Sequence, residues 1–314
     1  GLSAAQYGAR AGLSVLAVEG ASIGGEMLNI DRLENYPGIG GSGESGAVLA
    51  EAMRLQAVEA GAEFLSGTAL SLAGNGDGGF KVAVDEYDGT PSDSLAAAGG
   101  VIYAGAVIIA AGARRRRLGM PGEAEFFGRG VSYCAACDGP FFKGKKIFVV
   151  GGGDAACDEA RFLARLSPFV CLVHRRAALR AQRAVADRAL RDPAIKISLE
   201  TGLIGIKGSQ KVEAVTLRDE KSGATREESA DAVFVFAGIE PRSELAASAE
   251  LKIKPVLDDA LFIVTDQGMA TAAPGIFAAG DVRLSPFRQV VTAAGDGAVA
   301  AHSAAKYLEK TRKS

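Results

Sequence analysis
Continuous apolar runs of strand length recur along the chain: Val107-Ile108-Ile109-Ala110-Ala111, Ile147-Phe148-Val149-Val150, Phe169-Val170-Cys171-Leu172-Val173 and Ala232 to Ala237. Unbroken runs of this kind, stopped by glycine or by charge, predict strands buried on both faces, as in parallel sheets. Two more strands are predicted at Ser14 to Glu19 and Gly275 to Asp281, each ending in an acid. Between them lie segments that read as helices: Gly1–Gly12, about Gly46–Ala60, Cys157–Leu166 and an Ala-rich stretch from about Gln289 to Leu308. Residues 62 to 109 alternate in a strand-like way around two turns, Gly74–Gly79 and Asp88–Gly100, the second read as a loose hairpin tip. Lys306 to Ser314 reads as a frayed basic tail. Strand, glycine turn, helix and strand in that order predict an α/β fold. The pattern occurs twice, which implies two Rossmann-like dinucleotide-binding domains.

Length and composition narrow the class. The chain has 314 residues, room for about two domains of roughly 150 residues. Its 41 glycines cluster at strand ends, where tight turns around nucleotides need them. Lys plus Arg (35) nearly balances Asp plus Glu (37), so there is no electrostatic case for nucleic acid or an anionic membrane as partner. No apolar run approaches the ~20 residues of a membrane span. No signal peptide is visible at Gly1-Leu2-Ser3-Ala4. A cytoplasmic location is therefore expected, where a close cysteine pair is catalytic or metal-binding rather than structural.

The chemistry concentrates at Val131-Ser132-Tyr133-Cys134-Ala135-Ala136-Cys137-Asp138-Gly139, shortly before the triplet Gly151-Gly152-Gly153. A Cys-x-x-Cys pair beside a nucleotide turn points to electrons moving between a nicotinamide and a disulfide. Zinc is the alternative, but tetrahedral zinc wants a second short-spaced pair. Cys157, Cys171, His174 and His302 are scattered. A helix N-terminus at the pair would favour a reactive thiolate. Asp138 is the nearest group that could carry its proton, with a turn cap as its other reading. Cys157 and Cys171 read as inert core residues.

Gly151, Gly153, Asp154, Ala155 and Ala156 complete a G-x-G-x-x-A turn whose backbone approaches a pyrophosphate at a helix N-terminus. The following strand ends in His174-Arg175-Arg176, with Arg180 beyond, where an NAD site carries an acid. Guanidinium forks there suit a 2′-phosphate and hence NADPH, against the plainer reading of a solvated basic turn. The Arg114–Arg117 run is read as a solvated linker rather than a phosphate site. At the start, Gly1 and Glu19 fit the last glycine and the ribose-binding acid of another such turn. A helix–strand pair of another α/β fold is the alternative. The strand and two glycines that should precede Gly1 are not in the sequence, so the chain is expected to be cut from a longer one.

Taken in order, these motifs resemble the bacterial-type, low-molecular-weight thioredoxin reductases over almost the whole chain. The match rests on Gly24-Gly25, Glu34-Asn35-Tyr36-Pro37-Gly38, Cys134-Ala-Ala-Cys137-Asp138-Gly139, the Gly151–Ala156 turn, His174-Arg175-Arg176 with Arg180, and Ala279-Gly280-Asp281 with Arg288-Gln289-Val290. The resemblance implies a homodimer with one FAD and one NADPH per subunit. It places an FAD domain at 1–114 and 244–314 and an inserted NADPH domain, carrying the dithiol, at 115–243. That domain would rotate about hinges near Arg114 and Arg242. Carried over, Cys137 faces the flavin, Cys134 attacks the disulfide of thioredoxin or a thioredoxin-like protein, and Asp138 donates the proton. Gly1, Glu19, Gly24, Gly25, Glu26, Asn35, Ala111, Gly112, Gly280, Asp281, Arg288, Gln289 and Val290 fall to FAD. Gly151, Gly153, Asp154, Ala155, His174, Arg175, Arg176, Arg180 and Gly238 fall to NADPH. The chain departs from the family at Glu26, where Gln is usual and a carboxylate would lower the flavin potential, and at Ala110-Ala111-Gly112, which loses a hydroxyl. A related reductase serving a peroxiredoxin-type partner, and a nucleotide- or redox-sensing module without turnover, are the alternatives.

Overall fold
The computed structural model describes residues 1–20, 22–30, 33, 35–39, 44–85 and 100–312. The expected hairpin tip at Asp88–Gly100 lies outside these residues except for Gly100, as does Glu34. The chain divides into two compact units, Gly1–Arg114 with Glu240–Ser314, and Arg115–Ile239.

The unit at 115–239 is built on a five-stranded parallel sheet. Its order is Ile195–Ser198, Val170–Val173, Ile147–Gly151, Ala232–Phe236 and Val131–Ser132. The three interior strands are buried at every position, which is why they read as unbroken apolar runs. Alternate side chains go to opposite faces. Ile147, Val149, Leu172 and Phe234 meet Cys157, Ala160 and Leu163 of the helix Asp154–Ala164. Phe148, Val150, Val173 and Val235 meet Leu203, Ile206, Val215 and Leu217. Those four belong to an antiparallel sheet of Thr201–Gly208, Val212–Asp219 and Thr225–Ser229, which the apolar pattern does not reveal. The helix starts at Asp154, three residues before the sequence suggests, because Gly153 takes the extended N-cap conformation.

The discontinuous unit holds two parallel pairs, Leu16–Glu19 with Glu63–Ser66 and Val107–Ile109 with Ile276–Ala278. The same unit holds a three-stranded antiparallel sheet, Ala69–Gly74, Phe80–Val84 and Val101–Ala104. Leu72, Phe80, Ile109, Ile263 and Ile276 form its main core. The first helix, Leu2–Arg10, lies on the last, Val290–Thr311. Ser3 Oγ donates to the Ala294 carbonyl (2.7 Å), and a Cβ on Gly297 would sit 2.9 Å from the Ala4 nitrogen. That helix runs to Thr311, so the expected tail is helical from Lys306 to Thr311, and its last two residues lie outside the described ones.

The arginine run spans the boundary between the two units and is exposed at Arg114, Arg116 and Arg117, as expected of a solvated linker, with part of its charge engaged. Arg114 binds Glu244 (2.6 Å) with Glu240 at 3.6 Å, Arg115 covers the Phe236 ring, and Arg117 covers Phe127. Among the described residues no helix is long and apolar enough to cross a membrane, and no cluster of His, Cys, Asp and Glu suits a metal.

Candidate active site
Cys134 and Cys137 are joined as a disulfide, their Cα atoms 5.4 Å apart. Cys134 caps the one-turn helix Ala135–Asp138, its sulfur accepting the Cys137 N–H at 3.2 Å. Cys137 is exposed, Cys134 and Asp138 are half-buried, and Ala135 beneath them is fully buried. The turn therefore presents its sulfurs outward from a fixed base. Asp138 does not cap the 3-10 turn Gly139–Phe142 that follows. Its carboxylate instead accepts from Ser132 Oγ at 2.6 Å, and Ser132 Oγ accepts the Cys134 N–H at 3.1 Å. Beside this, buried Glu123 accepts the Tyr133 hydroxyl (2.7 Å) and the Leu118 and Gly119 amides. Burial and the Glu123 carboxylate push the Tyr133 phenol well up, so it stays protonated.

The structure assembles the predicted NADPH residues in the same unit. Gly151 has φ 155°, and a Cβ there would press on the Phe236 carbonyl and on Ala156. Space at Gly153 is open, and no side chain caps the helix that begins at Asp154. The amides of Asp154 and Ala155 thus face the direction an anion would approach. The Gly152 carbonyl accepts both the Arg180 and Ala181 amides, tying the Arg180 loop to the glycine turn. Asp154 grips Gln182 through its backbone N–H (2.7 Å) and its side chain (2.6 Å), an anchoring contact for that loop. Arg175, Arg176 and Arg180 are exposed, and their guanidiniums make no ion pair among the described residues. His174 is 5% exposed and its Nε2 has no hydrogen-bond partner. Burial, then the Arg180 and Arg176 charges, hold its imidazole below the ordinary range. Open amides, three outward guanidiniums and an orphaned imidazole nitrogen fit a phosphorylated ribose and pyrophosphate. Gly238 (φ 114°) lies two residues beyond the neighbouring strand, its carbonyl taking the Arg116 amide.

In the discontinuous unit the strand ends Ile109 and Ala278 lie side by side, the Ala279 amide donating to the Ile109 carbonyl. Ala111 and Gly112 follow the first of these strands, and Gly280 and Asp281 follow the second. Asn35 and Gln289, 254 residues apart, meet at 2.9 Å, and Gln289 with Thr292 forms the capping box of the last helix, which begins at Val290. Arg288 lies 4.1 Å over Phe262 with its Nε buried and unpartnered. Gly24, φ 119°, lets Leu28 and Ala50 close over the loop, and Gly25 and Glu26 open the 3-10 turn Gly25–Asn29. Gly1 caps the first helix, and Glu19 ends the first strand. An orphaned guanidinium nitrogen and glycine-lined strand ends fit a large anionic dinucleotide such as FAD.

Sequence reading missed Ser132, which lacks a motif of its own, and the ion pair of Arg283 with Asp296 at 2.8 Å. It also missed Gly46, where any Cβ would run into the Met27 carbonyl. Cys157 and Cys171 are buried free thiols. Burial raises both, Cys157 to about 11, so neither is reactive at neutral pH.

A model of the pyridine nucleotide-disulphide oxidoreductase family matches residues 1–297. The thioredoxin reductase of Treponema pallidum (strain Nichols) is 48% identical over 98% of this chain and 94% of its own length. That of Streptomyces clavuligerus is 43% identical, covering 98% and 90%. Among solved structures, the Lactococcus lactis thioredoxin reductase superposes with a TM-score of 0.89 at 37% identity, covering 99% of this chain and 96% of that one. The T. acidophilum thioredoxin reductase gives 0.87 at 30% identity, covering 99% and 95%.

Proposed function
The chain belongs to the pyridine nucleotide-disulphide oxidoreductase family, and from that membership we infer that it is an NADPH-dependent thioredoxin-disulfide reductase. The observation that carries this reading is the Cys134–Cys137 disulfide, capped on a helix turn beside Asp138 in a chain with two nucleotide-type units. When bound, FAD supplies the relay by which a hydride from NADPH becomes an electron pair for that disulfide.

The residues of the chain do the rest. Residues 1–114 and 244–314 hold FAD, and 115–243 hold NADPH and the dithiol. Glu19, Asn35, Asp281, Arg288 and Gln289 bind the flavin dinucleotide, and Arg175, Arg176 and Arg180 grip the 2′-phosphate. Reduction opens the S–S bond. The Cys137 N–H then stabilises a thiolate on Cys134, the sulfur it already contacts. Cys134 attacks the thioredoxin disulfide, one thioredoxin sulfur leaves with the electron pair, and Asp138 protonates it. Cys137 yields its proton to Asp138 and attacks Cys134, breaking the mixed disulfide; the second thioredoxin sulfur leaves with the electron pair and takes that proton from Asp138. Exposed Phe141 and Phe127, the latter against the Tyr133 ring at 5.7 Å, offer a protein partner apolar surface near the dithiol. The working form is a cytoplasmic homodimer, a reading carried by the family resemblance. Neither a peroxiredoxin-type partner nor a sensor without turnover is favoured by these relatives.

The test is Cys134→Ser in FAD-loaded protein. NADPH should still bleach the visible flavin band, while thioredoxin reduction falls by at least 10³-fold, as for loss of a covalent nucleophile (roughly). Surviving turnover would remove the dithiol from the reaction.

A further inference from the structure
We infer that Ser132 is a positioning residue that sets the Asp138 carboxylate for proton exchange with the Cys134–Cys137 pair. The inference deepens the reaction proposed above and rests on its assignment of the proton to Asp138.

Ser132 is the last residue of the strand Val131–Ser132, in register with Phe234 at the edge of the parallel sheet, and is 2% exposed. The sheet therefore fixes its Cα, and its hydroxyl is shielded from water. That hydroxyl has one proton and two acceptors in range, Asp138 Oδ2 at 2.6 Å and the Cys134 carbonyl at 3.2 Å. One proton serves one bond, and the shorter bond to a carboxylate wins. The same oxygen accepts the Cys134 N–H at 3.1 Å, while the Asp138 N–H closes on the Cys134 carbonyl at 3.2 Å. One buried oxygen thus joins the backbone of the attacking cysteine to the carboxylate of its proton carrier. With Oδ2 held by Ser132, Oδ1 is the atom left to exchange the proton. An exposed aspartate without this tether would sample several rotamers, and only some would place a proton at the sulfurs.

A buried serine near a strand end also has a structural duty, so the test separates shape from hydroxyl. Ser132→Thr keeps the hydroxyl, and Ser132→Val keeps the shape of Thr without it. Both suit a strand. The FAD-loaded variants, with Ser132→Ala, Asp138→Asn and the Ser132→Val/Asp138→Asn double variant, are assayed with NADPH and thioredoxin. The expected result for S132V is a fall in kcat of roughly tenfold, a share of the effect of a full acid–base group, with KM for thioredoxin and bleaching of the flavin by NADPH unchanged. S132T stays within about twofold of the parent, and the double variant is no slower than D138N alone. Three outcomes sink the idea: equal rates for S132T and S132V, a double variant in which the two losses multiply, or an S132V defect confined to KM or to flavin bleaching. If D138N itself turns over like the parent, the proton role of Asp138 fails and takes the inference with it. That result differs from the others because it is seen in D138N alone.

Discussion
His174 and Gly152 account for each other: a methyl group on Gly152 would overlap the imidazole ring, so the middle glycine of the triplet makes room for a histidine. The triplet was legible as a nucleotide turn because Gly151 and Gly153 satisfy the backbone spacing. The reason for Gly152 was not, since it depends on a strand end more than twenty positions later. His174 carries a pH signature. Its folded-state pKa is depressed below the ordinary ~6.5, so the unfolded chain binds the proton more readily. The stability it permits is complete above about pH 6.5 and is lost as pH falls toward the lower folded value. Melting temperatures taken from pH 8 to pH 5 should drop through that window, and His174→Gln should flatten the drop. A parent profile no steeper than the variant's would contradict the assignment. Asp138 shows the same limit on reading residues one at a time. Its sequence position allowed a cap or a proton carrier, and only the contact with Ser132 and the absent cap bond separate the two.

Among elements, the 3-10 turn Gly280–Val282 depends on a helix it precedes. Asp296 of the last helix accepts the Gly280 amide at 3.1 Å and Arg283 Nε at 2.8 Å, and both ionic side chains are about 15% exposed. Arg283 reaches on to the Leu284 carbonyl at 2.7 Å, so the pair clamps both ends of the loop that carries Asp281. Removing one member strands a half-buried charge, a loss of about 2–4 kcal/mol. Asp296→Asn should lose that much in urea unfolding and shed FAD more readily on dilution, and adding Arg283→Met should recover part of both. A loss under about 0.5 kcal/mol for the single variant would mean that the clamp is idle. The parallel strands were legible because burial on both faces leaves only apolar positions. The meander at 201–229 was hidden because its last strand is exposed at four of five positions and its register shifts twice, at Leu203/Gly205 and Lys207/Gly208. The helix from Asp154 was read late, since its first turn is small and polar and its start is set by backbone geometry at Gly153.

For the molecule as a whole, two units with separate cores predict unfolding in more than one step. NADP⁺ without flavin should raise only the transition of the 115–239 unit, by RT ln(1 + [L]/Kd). NAD⁺ at the same concentration should raise it less, and Arg175→Ala with Arg176→Ala should remove the difference. Equal shifts from the two nucleotides would displace the 2′-phosphate from those arginines. The order of motifs made the fold and the dithiol legible, whereas the contacts joining distant segments were not. Asn35 with Gln289, and Ser3 with Ala294, have no signal in either segment alone. Such joints have a bearing on how the protein is born. As the ribosome emits the chain, residues 115–239 emerge whole and are free to fold by themselves. The helix Leu2–Arg10 must wait for Val290–Thr311, roughly 300 residues behind it. At about 5–20 residues per second that wait is on the order of fifteen to sixty seconds. Ala5 and Ala9 can pack on Ala57 and Ala62 early, but through that wait the Ser3 and Ala4 side has no partner, and the growing chain is left open to chaperones and to misassembly.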